Sequence, residues 1–499
     1  MNKDFRVGFR ILKSFRTFPS VVLFLVVACF ARADAQTLTP LHQFSSINGL
    51  DGGDPLYVHL IQATDGNFYG TTIYGGTNSA GTVFKITPTG TINFLYYFKG
   101  SAANDGEFPE AGVVQGSDGN FYGTTYEGGS NSYGTVFKMT PTGVLTNLHI
   151  FVHDYTNGLW PFSQMIEGTD GFFYGTTSAG GTRGYGTVFK IDSNGNFSTI
   201  YSFTNGLDGS DPYAGVYQGS DGNFYGTTEY GGGTNCPGNG CGTVYKVTSA
   251  GTLTSLHQFG ASPQDGRYPI GGIIQGWDGN YYGTTYDGGT NSEGTVFRVT
   301  SAGTLTNLYQ FGALTYDGLD PNAALLQGSD GYLYGTTYEG GSNAAGTLFR
   351  IGLTGGLVYI HDFGAVTVPI GDGVEPASSP VEGYDGNLYG TTFHGGTNEL
   401  GIIYKFSFPV PPNPNQPTGF TQTGNPNGNP NGTSTVVFGV AAIAGETYQL
   451  QFANTLSPST IWSNVPGVSV TNATGGPLSF TNFITGVVSQ QFYRFQITP

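Results

Sequence analysis

Along most of this chain, short apolar runs alternate with Gly-rich polar stretches, and a single arrangement of the two recurs. The stretch GSDGNFYGTTYEGGSNSYGTVFKMTPTGVLTNLHIF, Gly116 to Phe151, shows it best. With the residues just ahead of it, its turn signals divide it into four strand-length segments: Ala111–Gln115, Phe121–Tyr126, Thr135–Thr140 and Val144–Phe151, here a, b, c and d. Ser117-Asp118-Gly119-Asn120 joins a to b and Pro141-Thr142-Gly143 joins c to d. Both are short hairpin turns in which Gly supplies the positive φ. The b–c connection, Glu127–Gly134, and the d–a connection, Val152–Phe162, are longer and vary most between copies. Segment b does not alternate: Phe121-Tyr122 and Tyr281-Tyr282 place large apolar groups on both faces, so its sheet has to be covered on both sides.

The core Asp-Gly-x-x-Tyr-Gly-Thr-Thr begins at Asp65, Asp118, Asp170, Asp221, Asp278, Asp330 and Asp385. Seven copies of about fifty residues, four short strands in each, predict an all-β, seven-bladed propeller over residues 36–408. Its ends are out of phase. Leu38–Phe44, LTPLHQF, matches segment d of other copies, whereas the seventh copy stops after c at Phe406. The spare strand is therefore expected to pair with Gly401–Phe406 and close the ring, which removes two exposed edges. Beyond it, the Pro-rich run from Pro409 and the Asn-Pro and Asn-Gly dipeptides up to Gly432 predict a linker over 409–432. Strands at Thr435–Val440, Thr447–Phe452, Leu478–Phe483 and Gln491–Ile497, with Trp462 as a core centre, predict a small β-sandwich over 433–499.

Composition narrows the function. The 499 residues include 83 Gly, 37 Phe and 32 Tyr, only 10% are charged, and the net charge of -16 argues against nucleic acid or an anionic membrane surface as partner. Lys3, Arg6, Arg10, Lys13 and Arg16 precede the apolar run Val21–Phe30 and the small-residue site Ala33-Asp34-Ala35, which predicts a signal peptide over 1–35 and a secreted or surface protein. Val26-Val27-Ala28-Cys29 is a competing lipoprotein box, with Cys29 as the lipidated residue. Either way, no transmembrane helix is expected in the mature chain. Cys236 and Cys241, which bracket Pro-Gly-Asn-Gly, are expected to form a local disulfide.

Segment c ends in Lys85, Lys138, Lys190, Lys246, Arg298, Arg350 and Lys405, each on the side where the a–b turn places its Asp, so an ion pair is expected in every copy. One position of d holds His42, His149, His257 and His361, or Tyr96, Tyr201 and Tyr309; the exchange points to ring packing rather than metal binding. The d–a connection repeats Asp-Gly-x-x-Pro, a shaped turn, with Asn157 in the deviant copy. Its acids leave calcium open as an alternative, with Asp51, Asp54, Asp208, Asp211, Asp317 and Asp320 as candidate ligands. No nucleophile elbow, HExxH, phosphate loop or Ser/His/Asp set occurs, so no catalytic residue and no nucleotide is assigned. Both long connections leave the same rim of a propeller, and function is expected there. Its exposed rings and acids, Tyr126, Tyr286 and Tyr338 with Glu127, Asp287 and Glu339, suit a neutral, hydroxyl-rich ligand such as a glycan.

With Asp-Gly-Asn-Phe-Tyr-Gly-Thr-Thr followed by Gly-Gly and Gly-Thr-Val-Phe-Lys, the chain resembles the bacterial Gloeo/Verruco (GloVer) tandem repeats in all seven copies. The resemblance implies an exported, surface-associated protein without an assigned activity. The tail, with YQLQFANTL and QFYRFQI, resembles small β-domains that end many exported bacterial proteins. The residues thus favour a non-catalytic protein that binds a glycan or a surface protein; the alternative is a propeller enzyme acting on a polysaccharide, of lyase or glycoside hydrolase type.

Overall fold

A computed structural model describes residues 36–45, 49–154, 156–233, 236, 239–262, 264–364 and 371–408, and the backbone of six further strands between 417 and 498. The signal segment 1–35 with Cys29, and Trp462, lie outside the described residues.

Seven four-stranded antiparallel sheets form the blades of a propeller, each in the order a, b, c, d. In the second blade the strands are Val114–Gln115, Phe121–Thr125, Thr135–Met139 and Leu145–Ile150. In the seventh, Val381–Glu382, Leu388–Thr392 and Ile402–Ser407 are completed by Thr37–Gln43 from the opposite end of the chain. Leu38 lies opposite Phe406 and Gln43 opposite Ile402, so the ring closes as its phase predicted.

What covers strand b explains its two apolar faces. All five of its residues are buried in every blade, and the core lies between blades rather than within them. One cluster joins Ala63, Tyr69 and Val83 to Val113, Phe121 and Phe137; another joins Tyr389 and Ile403 back to Phe68 and Phe84. The Tyr of one strand b packs its ring on the aromatic of the next, as in Tyr69–Phe121 (4.1 Å), Tyr122–Phe173 (3.7 Å), Tyr174–Phe224 (3.9 Å), Tyr225–Tyr281 (3.9 Å) and, across the closure, Tyr389–Phe68 (4.0 Å). Each such pair contributes about 0.5–1.5 kcal/mol beyond its buried area.

The rest of the motif also follows from contacts. Gly70 makes room for strand c, because a Cβ there would come within 2.7 Å of the Phe84 ring. The first Thr reaches the next blade: Thr71 Oγ1 donates to Ala111 O at 2.9 Å, and Thr391 Oγ1 does the same across the closure, to Pro55 O at 3.2 Å. The second Thr stays at home, with Thr72 Oγ1 2.8 Å from Thr82 Oγ1.

Some boundaries differ from expectation. Strand a pairs over only two residues, and the segment before it packs closely on the same segment of the adjacent blade: a Cβ on Gly112 would lie 2.1 Å from His59 O. Two-residue sheets such as Gly106–Glu107 with Glu127–Gly128 join the two long connections on one rim. Toward the C-terminus, two three-stranded antiparallel sheets occur. They contain the four expected strands together with Ser463–Thr471 and Pro417–Thr423. The last of these falls within the stretch read from the sequence as a linker, 409–432. Behind Pro417, the β-favouring Thr418, Phe420 and Thr421 support a strand, and Phe420 pairs with Phe438.

Candidate functional site at the channel mouth

The Asp that opens each repeat is anchored by the Tyr of its own motif, four residues on. In all seven blades the Tyr hydroxyl donates to this carboxylate, at 2.6–2.8 Å. The expected cation reaches it directly in the first, second and seventh blades, from Lys85, Lys138 and Lys405 at 2.7, 2.8 and 2.7 Å. Lys190 and Arg350 lie instead over the rings of Phe172 and Tyr332, at 4.8 Å in each case. Burial opposes ionisation of Asp65 and Asp118, but hydrogen bonds from the Lys, Asn and Tyr around them outweigh it and hold both carboxyls well below the usual range. These charges serve the short-turn rim.

On the long-loop side, the ring on strand d binds the loop Asp. The contacts are His42–Asp51 (2.9 Å), Tyr96–Asp105 (2.7 Å), Tyr201–Asp208 (3.0 Å), His257–Asp265 (3.1 Å), Tyr309–Asp317 (2.9 Å) and His361–Asp372 (2.9 Å). The deviant copy tests the rule. With Asn157 in place of Asp, His149 stacks on Phe197 at 3.9 Å, its Nε2 makes no hydrogen bond, and burial lowers its pKa to about 4. Of the calcium candidates, Asp51, Asp208 and Asp317 are thus held by rings in separate blades. Among the described residues, no three His, Cys, Asp or Glu side chains form a metal-sized group.

Asp54, Asp211 and Asp320 have a different role from their loop partners. They precede the Pro of the loop, as do Phe108, Trp160, Tyr268 and Glu375, and all seven residues adopt a left-handed backbone with φ between 53° and 58°. Each such non-Gly residue costs about 1–2 kcal/mol, and it persists only where its neighbours fix it. Backbone hydrogen bonds do so in all seven blades: Phe108 N–H, for example, donates to Ala80 O (3.0 Å) while its carbonyl accepts from Tyr126 N–H (2.9 Å), and Asp320 is held in the same way by Glu293 O (3.3 Å) and Tyr338 N–H (3.1 Å).

This clamp aims the residue after Pro at the channel that the innermost strands enclose. In the seven copies that position is Tyr57, Glu110, Phe162, Tyr213, Ile270, Asn322 and Ala377, so an otherwise uniform repeat diverges at one place. Six of the seven, together with His59 and Glu229, line a cavity of about 490 Å³, a volume suited to a small ligand. The first blade carries one extra residue, Leu56, ahead of Tyr57, whose φ is 54°. The Tyr57 ring meets Phe162 of the third blade at 5.4 Å, so it reaches past the second blade. Phe162 in turn contacts Tyr213 at 4.7 Å and Tyr126 at 5.8 Å.

The mouth is acidic as well as aromatic. Burial and then the Glu127 charge raise Glu110 to about 7, and burial raises Asp211 to about 6. Asp320 is raised to about 6 by burial and by Glu293, Glu339 and Asp287. Burial, with Glu110, Tyr286 and Glu229 close by, pushes the Tyr57 hydroxyl up to about 12. His59 keeps some free surface, which faces the cavity, and burial lowers it to about 4, so it is neutral at pH 7.

The Gloeobacter/Verrucomicrobia repeat matches residues 29–238, 185–404 and 234–450. The chain belongs to this repeat family. No curated protein matches it. Among solved structures, it is similar to a putative 6-phosphogluconolactonase from Bacteroides uniformis, with 17% identity over 64% of this chain and 86% of that one (TM-score 0.43). It is also similar to a polysaccharide lyase of family PL25, an ulvan lyase, at 13% over 71% and 94% (0.43). A third similarity is to the BP39L lectin of Burkholderia pseudomallei, at 10% over 71% and 98% (0.43). These likenesses are of fold alone.

Within this member of the repeat family, the six residues expected to bind are only partly brought together. Tyr126 packs on Trp160 (6.2 Å) and Phe162, and the Tyr338 hydroxyl donates to Glu375 at 2.8 Å. Tyr286 is 36% exposed beside Asp320. Glu127, Asp287 and Glu339 each stand in the rim sheet of their own blade, and Asp287 is paired with Arg267 at 3.1 Å. Cys236 and Cys241 are joined as a disulfide in the fourth blade, with Cα atoms 5.7 Å apart. Reading the repeat for its uniform positions passed over Tyr57, Glu110, Phe162, Tyr213 and Asn322; aligning the copies and asking which column varies beside an invariant Pro would have found them. Among the described residues, no helix is long and apolar enough to cross a membrane.

Proposed function

We propose that this is an exported, non-catalytic binding protein that holds the end of a glycan in the channel mouth on the long-loop side. The observation that carries this reading is the convergence of the post-Pro residues, the least repeated in the propeller, on a single cavity walled by Tyr57, Phe162 and Tyr213. Aromatic faces stack on sugar rings, and carboxylates accept from sugar hydroxyls. Export rests on the sequence of residues 1–35, and the two C-terminal sheets are taken as the expected small sandwich. The test is a glycan array with residues 36–499, repeated with the Tyr57→Ala/Tyr213→Ala double variant. Retention should be lost while the melting temperature holds; unchanged retention would place the site elsewhere.

One observation favours an enzyme as the second reading. Glu110, raised to about 7 beside Tyr57, is an acid poised to exchange a proton near neutral pH. Under this reading, products appear from a polysaccharide panel with the unaltered chain and vanish with Glu110→Gln.

A further inference from the structure

The two rims of the propeller differ in charge. Seven Lys and Arg end strand c on the short-turn rim, beside the turn Asp residues. Among the described residues, the long-loop side has only Lys99, Arg183 and Arg267 as Lys or Arg; Lys99 lies over the Tyr96 ring at 6.0 Å and Arg267 is paired with Asp287. At the mouth, acids from three blades meet other acids and phenol rings instead. Glu110 faces Glu127, Tyr57, Tyr74 and Tyr126. Glu229 lines the cavity and faces Asp211, Tyr230, Tyr213 and Tyr57. Asp320 faces Glu293, Glu339, Asp287 and Tyr286. A neutral ligand would leave this charge uncompensated, and an anion would add to it.

A second, independent observation comes from the cavity wall. Asn322 is 5% exposed and lines the cavity, yet its side-chain oxygen makes no hydrogen bond within the protein. Leaving a buried acceptor unmet costs about 1–3 kcal/mol, so a ligand that brings a donor is favoured there. The acids, the ring faces and this unmet oxygen all favour a ligand that brings a donor. An ammonium is the complementary group: three N–H donors, no acceptor, and a charge that aromatic faces attract.

We propose that the ligand is a saccharide with free amines, a glucosamine-type chain whose ammonium sits among Tyr57, Glu110 and Glu229 and which also donates to Asn322 Oδ1. This rests on the saccharide-binding reading above and narrows it to cationic sugars. Calorimetric titration of residues 36–499 at pH 7 with the glucosamine tetramer, its fully N-acetylated counterpart and spermidine separates the two claims. The free-amine tetramer should bind at least about tenfold more tightly than the acetylated one. In the Glu110→Gln/Glu229→Gln variant that preference should disappear. Equal binding of both tetramers overturns the amine inference and leaves the saccharide reading standing. Binding of spermidine alone, or silence from all three, overturns both.

Discussion

At the level of single residues, hydrogen bonds repeated in every copy decide more than charges do. The Tyr122 hydroxyl meets Asp118 as its counterparts do in all seven blades, whereas a Lys meets the Asp directly in three of them. Tyr122→Phe should therefore cost about 1 kcal/mol in urea unfolding, and Lys138→Met less than about 0.5 kcal/mol. The reverse order would restore the ion pair as the main anchor. His149 gives a second test. Its folded pKa near 4 lies below the ordinary 6.5, so between those values the unfolded chain binds a proton that the folded chain does not, and stability falls as pH drops through that window. His149→Phe keeps the stack on Phe197 and removes the titration. It should gain about 2 kcal/mol at pH 5 and nearly nothing at pH 7.5, read by denaturant unfolding. Glu110 works in the opposite sense: raised to about 7 from 4.5, it costs stability as pH climbs through that interval, and Glu110→Gln should relieve the cost at pH 8. The sequence marked Tyr122 as core but not its hydroxyl bond, because a repeated Asp and a repeated cation already supplied a plausible pair. It likewise offered Asp54, Asp211 and Asp320 as candidate calcium ligands beside a shaped-turn reading, and did not show that they share a backbone conformation that Asp tolerates better than most residues.

At the level of strands, whatever has a period of its own could be read from the sequence, and whatever depends on a neighbouring blade could not. Strands b, c and d emerged within a residue or two, since turn residues bound them and apolar residues fill them. Strand a shrank to two residues and the rim sheets went unforeseen, because both are set by backbone from adjacent segments. The closing strand was legible because it is a misplaced copy of d. Deleting residues 36–44 should leave Ile402–Ser407 as an open edge and expose Phe406, which is fully buried. The truncated ring should then melt at lower temperature and associate with rising concentration in sedimentation, and a peptide of residues 36–45 added in trans should reverse both effects. A truncated protein that stays monomeric with an unchanged melting temperature would mean that the contacts between blades hold the ring without this strand.

For the whole molecule, scaffold and site occupy separate positions within one repeat. The scaffold contacts use the Asp-Tyr pair, the stacked rings, the crossing Thr and the clamped residue before Pro, and none of them needs the side chain after Pro. That side chain is free to differ, and in six of the seven copies it lines one cavity. Replacing Tyr57, Glu110, Phe162, Tyr213, Ile270 and Asn322 together with Ala, the residue the seventh copy already carries at Ala377, tests the division. The six-fold variant should fold to the same seven-bladed ring, since two of the losses, the buried acid Glu110 and the unmet Asn322 oxygen, are themselves destabilising groups. Circular dichroism should be unchanged and ligand retention absent. Replacing Tyr126, Tyr286 and Tyr338 with Ala makes the contrast, because Tyr126 supports Trp160 and Phe162 and Tyr338 is bonded to Glu375. That triple variant should lose both melting temperature and binding. If instead the six-fold variant collapses while the triple one merely stops binding, the rim tyrosines are the site and the channel residues are packing.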